Sequence, residues 1–333
     1  MKPEKHKEAN KNVFRKYSLN GGELYCADSR NIESYIKKNT VDFIVTSPPY
    51  WSIRNYGYDN QIGFGQEYND YLNDLKLVFK GCYALLKEGR WIGINVGTVV
   101  SKEGMKFLSG DIVRICGEIG FTFRKDIIWN KPRGQTKWQR GGTQFAQAPY
   151  PRHYNTNISH EFILLFSKGA VQRNGKEEHR DMPEFEQYSR QYIRQVAYSV
   201  WDISPVNSPR LDEKHAAPFP EELPQRLIEL FTYPMETVLD PFSGAGTTLR
   251  AAKKLGRKFI GIDLNEKYIE YSRSKLNEID IPDYHKICIE TAHRFDKSTK
   301  NELDELNKKK KDIERKILKL QKEILKSNSN LFL

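Results

Sequence analysis

The chain has 333 residues, of which 38% are hydrophobic and 29% are charged, so it can bury a sizeable core beneath a well-solvated surface. Its formal net charge of +11 favours a polyanionic partner, nucleic acid before membrane, although simple solubility would account for the charge equally well. The sequence has no long apolar run, which argues against a membrane protein, and no leader, which argues against a secreted protein. It has no CxxC pair, which argues against a zinc site or a disulfide framework. We therefore expect a cytoplasmic protein without a metal.

The first 130 residues predict an arm followed by alternating strands and helices. Residues 1–21 are polar and rich in lysine, which is typical of a loose basic arm. Over residues 22–130, short apolar runs that suit strands alternate with amphipathic stretches that suit helices. The clearest helix is predicted over residues 68–86, where apolar residues recur every three to four positions and Gly89 follows as a stop. Strands are predicted at 24–26, 41–45, 91–96 and 127–129.

An irregular segment then interrupts this alternation. Residues 131–200 are rich in basic, aromatic, glycine and glutamine residues and show no clear period, apart from a predicted strand at 162–166. Strands that alternate with helices predict a mostly parallel sheet with helices on both faces, so we expect one α/β domain that is split by an insertion. The alternation resumes over residues 201–290, with helices predicted at 223–231 and 248–255 and strands at 237–239 and 259–262.

Residues 297–333 are highly charged and predict a C-terminal helix. Leucine and isoleucine recur there every three to four positions and form a weak heptad seam. This seam can pair two copies into a homodimer or pack the helix onto its own domain, and the pattern leaves both open. The lysine run at 308–311 suits a solvated face as well as a phosphate contact.

The sequence TVLDPFSGAGTTLR at residues 237–250 predicts a ligand-binding turn between a strand and a helix. Its glycines allow close approach of a ligand, and the helix N-terminus offers free N–H groups. Leu249 occupies the third glycine position of the GxGxxG pattern, so the motif indicates NAD only weakly. Asp240 and Asp263 follow the two predicted strands without an evident packing role, and they favour a cationic ligand with a ribose, such as S-adenosylmethionine.

The sequence TSPPY at residues 46–50 predicts a rigid loop at the carboxyl end of another strand. Ligands of open α/β sheets bind at the carboxyl ends of the strands, so this loop and the glycine-rich turn should share one cleft. The Ser47 hydroxyl and the Pro48 carbonyl can accept hydrogen bonds from an exocyclic amine and so make its nitrogen more nucleophilic. Tyr50 offers a π-face to a base that has left the duplex, whereas Trp51 is expected to pack under the loop.

Taken together, TSPPY and DPFSGAGTT resemble the amino-methyltransferases of DNA, which methylate N4 of cytosine or N6 of adenine. The catalytic motif precedes the cofactor motif here, as in the permuted beta class of that family, and the similarity extends over most of residues 22–275. The segments IIWNKP, SHEFILLFSKG and VWDI also have counterparts in the family. The resemblance implies a permuted Rossmann-like, S-adenosylmethionine-dependent methyltransferase fold with a catalytic half at 22–130, a target-recognition region at 131–200 and a cofactor-binding half at 201–290.

The resemblance also assigns site residues, with Ser47, Pro48, Pro49 and Tyr50 as the catalytic motif. LYCADS resembles a segment whose acid lies near the cofactor adenine, and HAAPFPEELPQRLI resembles a segment beside its methionine moiety. The implied contacts to S-adenosyl-L-methionine are Asp28, Thr46, His215, Pro218, Phe219, Asp240, Pro241, Phe242, Ser243, Gly244, Gly246, Thr247, Thr248 and Asp263.

The insertion lies where this class keeps its target-recognition region. Basic groups can neutralise phosphates, and arginine and glutamine can read base edges. We therefore predict double-stranded DNA as a partner. The resemblance is compatible with a cognate restriction endonuclease in the same system as a functional partner, and the sequence leaves its presence open. The predicted DNA contacts are Lys131, Arg133, Lys137, Trp138, Arg140 and Arg152.

Ser47 also bears on which base is methylated. Adenine enzymes of the family mostly carry aspartate at this position, whereas a serine preceded by threonine resembles the cytosine-N4 subgroup. We expect direct in-line transfer to a flipped cytosine, because no nucleophile is evident beside Ser47 and no cysteine follows a proline, as cytosine-C5 chemistry would need. The alternatives are an N6-adenine enzyme, a methyltransferase of RNA or protein, and an inactive DNA-binding protein.

Overall fold

A mixed β-sheet with helices on both sides forms the described part of the chain. The structure is a computed structural model, which describes residues 14–52, 60–101, 104–132, 158–171, 196–206, 219–280 and 308. Apart from Lys308, these residues belong to one compact unit. The strands are β1 (Arg15–Leu19), β2 (Gly22–Cys26), β3 (Val41–Thr46), β4 (Leu86–Val96), β5 (Val99–Ser101), β6 (Gly104–Lys106), β7 (Phe121–Asn130), β8 (His160–Lys168), β9 (Val200–Asp202), β10 (Thr237–Asp240) and β11 (Lys258–Asp263). The helices are α1 (Tyr68–Leu85), α2 (Leu108–Ile119), α3 (Glu222–Phe231), α4 (Thr247–Lys254) and α5 (Glu266–Asn277), with a 3₁₀ helix at Ser29–Ser34.

Nine of these strands form one sheet in the order β1-β2-β11-β10-β3-β4-β8-β7-β9. From β2 to β4 in that order, neighbouring strands run parallel. The edge strand β1 is antiparallel to β2, β8 is antiparallel to both of its neighbours, and β9 is parallel to β7. The sheet is therefore mixed and mostly parallel, as predicted, and the carboxyl ends of five parallel strands lie side by side at one edge.

Alternate side chains of the central strands enter two separate hydrophobic cores. One core contains Ile44 and Ile94 from the sheet together with buried residues of α1 and α2. The other contains Phe43 and Val45 together with buried residues of α3, α4 and α5. Helices thus cover both faces of the sheet, which is why its central strands read as continuous apolar runs. Among the described residues, none of the helices combines the length and apolar character needed to cross a membrane.

The N-terminal arm is shorter than predicted. Residues 15–19 of the predicted arm form β1, which pairs with β2 at the edge of the sheet. Tyr17 and Leu19, two positions apart, pack against a hydrophobic core, whereas Ser18 between them is exposed. The lysine-rich composition hides this short alternation. Residues 1–13 lie outside the described residues.

The predicted helix over 68–86 ends one residue early, and Gly89 is not its stop. The helix ends at Leu85, and Gly89, with a φ of 75°, lies inside β4. Leu86 already has an extended backbone because it pairs with Val41 of β3, so a tertiary strand pairing ends the helix. By contrast, every predicted element between α3 and β11 agrees with the structure to within one residue at each end.

The predicted insertion contributes more to the sheet than expected. The strand predicted at 162–166 extends over all of β8, which pairs with β4 and β7, and the predicted boundary after residue 200 falls inside β9. The N–H of Lys131 donates to the carbonyl of Ser159 (2.8 Å), so the chain leaves β7 and returns to β8 at neighbouring positions. Residues 133–157, residues 172–195 and the predicted C-terminal helix at 297–333, apart from Lys308, lie outside the described residues.

Candidate active site

A cavity of about 380 Å³ lies at the carboxyl edge of the sheet. Following the order of the strands, Asp263 ends β11, Asp240 ends β10, Ser47 follows β3, Asn95 lies near the end of β4 and Glu161 lies near the start of β8. Because parallel strands end at this edge, residues far apart in sequence meet here. We call the part lined by Asp240 and Asp263 the turn side, and the part lined by Asn95 and Glu161 the Glu161 side.

The glycine-rich turn forms one wall of the turn side. Gly246 has a φ of +78°, and a Cβ atom there would lie 2.1 Å from Ser272 Oγ, so the turn requires glycine. The N–H of Gly244 donates to Asp263 Oδ2 (2.9 Å), and the N–H of Asn265 donates to its Oδ1 (2.8 Å). Burial raises the pKa of Asp263 to about 6, although these hydrogen bonds act to lower it. The turn is therefore fixed to β11 through a partly buried carboxyl group.

Asp240 joins the two sequence motifs. Thr46 Oγ1 donates to its Oδ1 (2.7 Å), Thr248 Oγ1 donates to its Oδ2 (2.7 Å), and the N–H of Phe242 donates to Oδ1 (3.0 Å). The expectation that this acid has no packing role is therefore wrong, because it links β3, β10 and α4. Burial raises its pKa to about 6 despite these hydrogen bonds. Within the described ranges, no lysine or arginine forms an ion pair with Asp240 or Asp263, so their charge is available to a cationic ligand.

Asp28 lies on the same side but has a cationic partner. It follows β2 and caps the 3₁₀ helix, and Arg30 donates to both of its carboxylate oxygens at 2.6–3.0 Å. Arg30 also donates to Asp74 of α1 (2.8 Å) and to the carbonyl of Asn60 in the cavity wall (2.9 Å). One guanidinium thus fixes Asp28 relative to the wall that faces it.

The S-P-P-Y loop is held from beneath. The Tyr71 hydroxyl of α1 donates to the Pro49 carbonyl (2.9 Å). Trp51 is 8% exposed and its Nε1 donates to the carbonyl of Gln66 (2.7 Å), so it packs under the loop as predicted. These contacts fix the backbone of the loop, and Ser47 lies on the cavity surface.

Glu161 organises the opposite wall. Its Oε2 accepts hydrogen bonds from Asn95 Nδ2 (2.7 Å) and from the Tyr50 hydroxyl (3.2 Å), and its Oε1 accepts one from Lys131 Nζ. The Tyr50 hydroxyl also accepts from the N–H of Gly97 (3.0 Å), which fixes the far end of the ring. Burial, aided by Glu161, raises the pKa of Tyr50 well above its usual range, so its hydroxyl stays protonated. Lys131 balances the carboxylate, and the wall is polar without net charge.

Lys131 has a different environment from the one that the sequence suggested. We predicted a contact to a DNA phosphate, but its ammonium pairs with Glu161 in the cavity wall and lies 4.5 Å from the centre of the Trp129 ring. The lysine side chain is only 17% exposed. These contacts place Lys131 on the Glu161 side of the cavity. The ammonium has three donors, so the predicted phosphate contact stays a prediction.

The structure brings most predicted site residues together. Thr46 and Thr248 lie behind the cavity surface and act through Asp240, and Gly246 shapes the turn. The cavity lining includes Asp28, Ser47, Pro48, Pro49, Tyr50, Lys131, Phe219, Asp240, Pro241, Phe242, Ser243, Gly244, Thr247 and Asp263, whose roles in binding stay predictions. The predicted residues that lie outside the described ones are His215, Pro218, Arg133, Lys137, Trp138, Arg140 and Arg152.

Sequence reasoning missed the Glu161 side almost entirely. Asn95, Trp129 and Glu161 line the cavity there, and residues 60–62 and Tyr268 line it elsewhere. Two signals were present: Asn95 interrupts the apolar run IGINV, and Glu161 precedes the apolar run of β8. A polar side chain in a buried strand needs a partner, so such an interruption marks a residue whose partner is worth seeking.

The turn side fits S-adenosyl-L-methionine. Its acids, the buried Asp240 and the partly buried Asp263, suit a ligand that carries a sulfonium and an ammonium group. Phe219, Phe242 and Tyr268 add aromatic surface for an adenine ring. The volume of about 380 Å³ lies within the usual range of ligand pockets.

The chain matches known DNA methylases over most of its length. The N6/N4 methyltransferase family model, described as DNA methylase, matches residues 41–274. The Type II methyltransferase M.SmaI of Serratia marcescens is 28% identical over 290 residues, which cover 78% of this chain and 92% of that protein. M.MthZI of Methanothermobacter thermautotrophicus, also a Type II methyltransferase, is 30% identical over 278 residues, which cover 77% of this chain and 76% of that protein.

Solved structures confirm the Rossmann-like methyltransferase fold. A candidate DNA modification methylase of Thermus thermophilus, complexed with S-adenosyl-L-methionine, is similar with a TM-score of 0.59 at 28% identity, covering 77% of this chain and 94% of that chain. The cytosine-N4-specific PvuII DNA methyltransferase has the same fold, with a TM-score of 0.59 at 19% identity, covering 83% of this chain and 92% of that chain. The chain therefore belongs to the N6/N4 family of DNA methylases, and it is a DNA methyltransferase whose cofactor is S-adenosyl-L-methionine.

Proposed function

We propose that this DNA methyltransferase methylates N4 of cytosine at a specific site in duplex DNA, as the methylase of a restriction-modification system. The observation that carries the proposal is the position of Ser47, on the cavity surface between the acids of the turn side and the neutral Glu161 side. A serine hydroxyl accepts a hydrogen bond from an amine without adding charge, which suits a neutral base of either kind. The choice of cytosine rests on the TSPPY pattern, which resembles the cytosine-N4 subgroup. The Type II relatives M.SmaI and M.MthZI support the restriction-modification part, including a cognate endonuclease as functional partner.

The proposed reaction requires an amine that is more nucleophilic than cytosine N4 is in free DNA. The lone pair of that nitrogen is delocalised into the ring, and acceptors that hold its N–H groups favour the tetrahedral nitrogen that attacks. In this proposal Ser47 Oγ and the Pro48 carbonyl are these acceptors. The hydrogen bond to the Pro49 carbonyl and the buried Trp51 keep the loop in place, so little reorganisation is needed.

Tyr50 is proposed to hold the target base after it leaves the duplex. A base inside a double helix cannot reach a cavity of this kind, so enzymes of this chemistry extrude the nucleotide and stack the base on aromatic side chains. The Tyr50 ring is fixed at its hydroxyl by Glu161 and by the N–H of Gly97, so it is pre-oriented for stacking. The prediction of base flipping depends on this tyrosine.

Direct transfer is proposed in place of a covalent enzyme intermediate. When bound, S-adenosyl-L-methionine supplies an electrophilic methyl group on a sulfonium. Cys26, Cys82 and Cys116 are buried and absent from the cavity lining, and burial raises the pKa of each thiol, to about 11 for Cys26. None of these three cysteines is an activated nucleophile, which supports in-line attack by the amine itself.

Nucleoside analysis of DNA from an expressing host tests the proposal. DNA from cells that carry the chain, or an empty vector as control, is digested and measured by mass spectrometry. We expect N4-methylcytosine only with the chain, and base-resolution mapping then identifies the methylated site. N6-methyladenine in its place would refute the cytosine assignment and establish the second candidate, an N6-adenine enzyme of the same family. Neither modified base in DNA would refute the proposed DNA specificity.

A further inference from the structure

Asn95 lies beside Ser47 at the carboxyl edge of the sheet. In the parallel pairing of β3 with β4, Thr46 is opposite Ile94, so the next residues of the two strands, Ser47 and Asn95, are neighbours. Adjacent strands of a sheet are about 4.8 Å apart. Both residues also line the cavity, so their side chains border the same space.

The amide of Asn95 presents an unused acceptor. The residue is only 2% exposed, and its Nδ2 donates to Glu161 Oε2 (2.7 Å). Among the hydrogen-bonding groups of the described residues, none contacts Asn95 Oδ1. A flipped amide would set Oδ1 against the carboxylate of Glu161, so the carboxylate fixes which end of the amide stays free. Oδ1 itself is buried beneath the cavity surface. Buried acceptors are normally satisfied, so one that lacks a partner beside a cavity points to a donor that arrives with the ligand and reaches Oδ1 by a small adjustment of the wall.

The position of Asn95 indicates which donor this is. In the sheet, Asn95 lies on the far side of Ser47 from Asp240, because β3 separates β4 from β10. An amine that turns its lone pair toward the turn side must direct its N–H groups away from that side. Its N–H groups then point toward Ser47 and Asn95.

We propose that Asn95 Oδ1 is a further acceptor for the exocyclic amine of the target base, and that Glu161 is the positioning residue that orients it. This inference rests on the proposed function and adds a residue to it. With Ser47 Oγ and the Pro48 carbonyl, the amine then has three acceptors for two N–H groups, so one N–H is shared, as in other three-centre hydrogen bonds. Neither aromatic stacking nor the rigid loop requires Asn95, so the contact can be tested separately.

Glu161 matters through its charge as well as its shape. Its carboxylate accepts from Asn95 Nδ2 and Tyr50, and it pairs with Lys131. In Glu161→Gln, a side-chain N–H₂ replaces one of the two acceptor oxygens, so one of these donors faces another donor. When the N–H₂ takes the place of Oε2, away from Lys131, it can donate to a turned Asn95 Oδ1. The side chain at 161 then no longer fixes which end of the Asn95 amide faces it, while its size is retained.

A thermodynamic cycle between Asn95 and the base amine tests the inference. Duplexes carry at the mapped site either the unmodified target base or its analogue without the amino group. The analogue is 2-pyrimidinone for cytosine and purine for adenine. Affinity is measured for the wild type and Asn95→Ala in the presence of S-adenosylhomocysteine. Loss of the amino group should weaken the wild type about three- to tenfold more than it weakens Asn95→Ala, as expected for one hydrogen bond.

Controls separate this contact from folding and from the proposed function. Asn130→Ala, at the end of β7 and paired with Asp202 (2.5 Å), should keep the wild-type ratio. Cofactor affinity should be unchanged in Asn95→Ala. Glu161→Gln should also reduce the ratio of the affinity for the target base to the affinity for its analogue, which provides a second variant if Asn95→Ala does not fold. Equal ratios for the wild type and both variants would overturn the role of Asn95 even if N4-methylcytosine is the product. A wild type that modifies no DNA base would overturn the proposed function and this inference together.

Discussion

The two sides of the cavity use charge in opposite ways. On the turn side, Asp240 and Asp263 accept hydrogen bonds from hydroxyls and backbone N–H groups, and no described cationic side chain pairs with them. On the Glu161 side, the carboxylate is paired with Lys131. The first arrangement keeps a negative field for a cationic ligand, whereas the second supplies directional hydrogen bonds without a field, which suits a neutral base. The unpaired acids and the paired carboxylate are therefore separated by a single strand, β3, which motivates the following predictions.

The largest expected effect is a loss of cofactor affinity when a carboxylate of the turn side is neutralised. Asp240→Asn keeps the size of the side chain and can still accept from Thr46, because the amide oxygen replaces Oδ1. We expect the affinity for S-adenosyl-L-methionine to fall about 10- to 100-fold, since hydrogen bonds and attractions that involve a charge are worth about 1.5–3 kcal/mol. Isothermal titration calorimetry measures this directly.

A matched control lies at the other end of the same sheet. Asp42 is as buried as Asp240, at 2% exposure, but it pairs with Lys87 and accepts from the N–H of Thr237. Asp42→Asn should lower the melting temperature and leave the cofactor affinity unchanged. If both variants bind the cofactor like the wild type, the turn side does not select by charge and the comparison fails.

The next largest expected effect is a loss of kcat when Ser47, which follows β3 between the two sides, is replaced. Ser47→Ala removes one acceptor for the amine, and we expect kcat to fall at least about tenfold while cofactor affinity persists. Ser52→Gly changes an exposed serine after the same loop, at a φ of 58° that glycine adopts readily, and should retain activity. Single-turnover methylation assays separate the chemical step from product release; full activity of Ser47→Ala would refute its role.

A lower pH should weaken cofactor binding step by step, because the two carboxyl groups of the turn side become protonated. Burial raises the pKa of Asp240 and Asp263 to about 6, and a cationic ligand favours their ionised forms. Affinity should therefore be constant above about pH 7 and fall below about pH 6, by at most about tenfold per pH unit for each carboxyl group. In the unliganded protein the raised pKa values affect the free energy of unfolding in the opposite direction. The stability that these acids contribute is complete below their ordinary pKa and is lost as the pH rises through about 6.

The demethylated product provides the control for this pH dependence. S-adenosylhomocysteine has a neutral thioether in place of the sulfonium, so its affinity should change less between pH 5 and pH 8. Identical pH profiles for the two ligands would show that the turn side does not respond to the sulfonium charge.

The smallest expected effect is a loss of cofactor affinity when Arg30 is replaced, and it compares a paired acid with an unpaired acid on the turn side. Asp28, unlike Asp240, is neutralised by Arg30, which also reaches Asp74 and Asn60. Arg30→Lys keeps a positive charge but cannot bind both oxygens of Asp28 in the same way, and we expect cofactor affinity to fall about threefold. The surface variant Lys76→Ala should have no effect; a loss above about thirtyfold in Arg30→Lys would mean that Asp28 contributes as much as the uncompensated acids.

The sequence predicts the turn side better than the Glu161 side, for a physical reason. The strand-turn-helix at TVLDPFSGAGTTLR is local, so its glycines, its acid and the following Asp263 can be read from spacing alone. The wall at Glu161 is assembled from β4, β7 and β8, whose antiparallel pairing brings together Asn95, Lys131 and Glu161 from separate segments. Periodicity does not reveal which strand lies next to which, so the sequence does not predict that Lys131 pairs with Glu161.

The same limit explains the errors in the fold. Gly89 looked like a helix stop because glycine often follows a helix, yet the pairing of Leu86 with Val41 ends α1 before that residue. Residues 15–19 looked like part of an arm because their charge conceals a strand that needs β2 as a partner. A charged edge strand and a helix end that depend on a distant partner were misjudged, whereas the apolar strands and amphipathic helices from α3 to β11 were predicted closely.

The backbone hydrogen bond between Lys131 and Ser159 has a consequence for how this enzyme can be engineered. It joins the residue that follows β7 directly to the residue that precedes β8. A change in length between these two residues is therefore expected to leave the register of β7 and β8 and the pair formed by Lys131 and Glu161 in place. If this segment belongs to the target-recognition region that the sequence predicts, exchanging it for the segment of a relative should change the methylated DNA sequence and leave the cofactor unchanged.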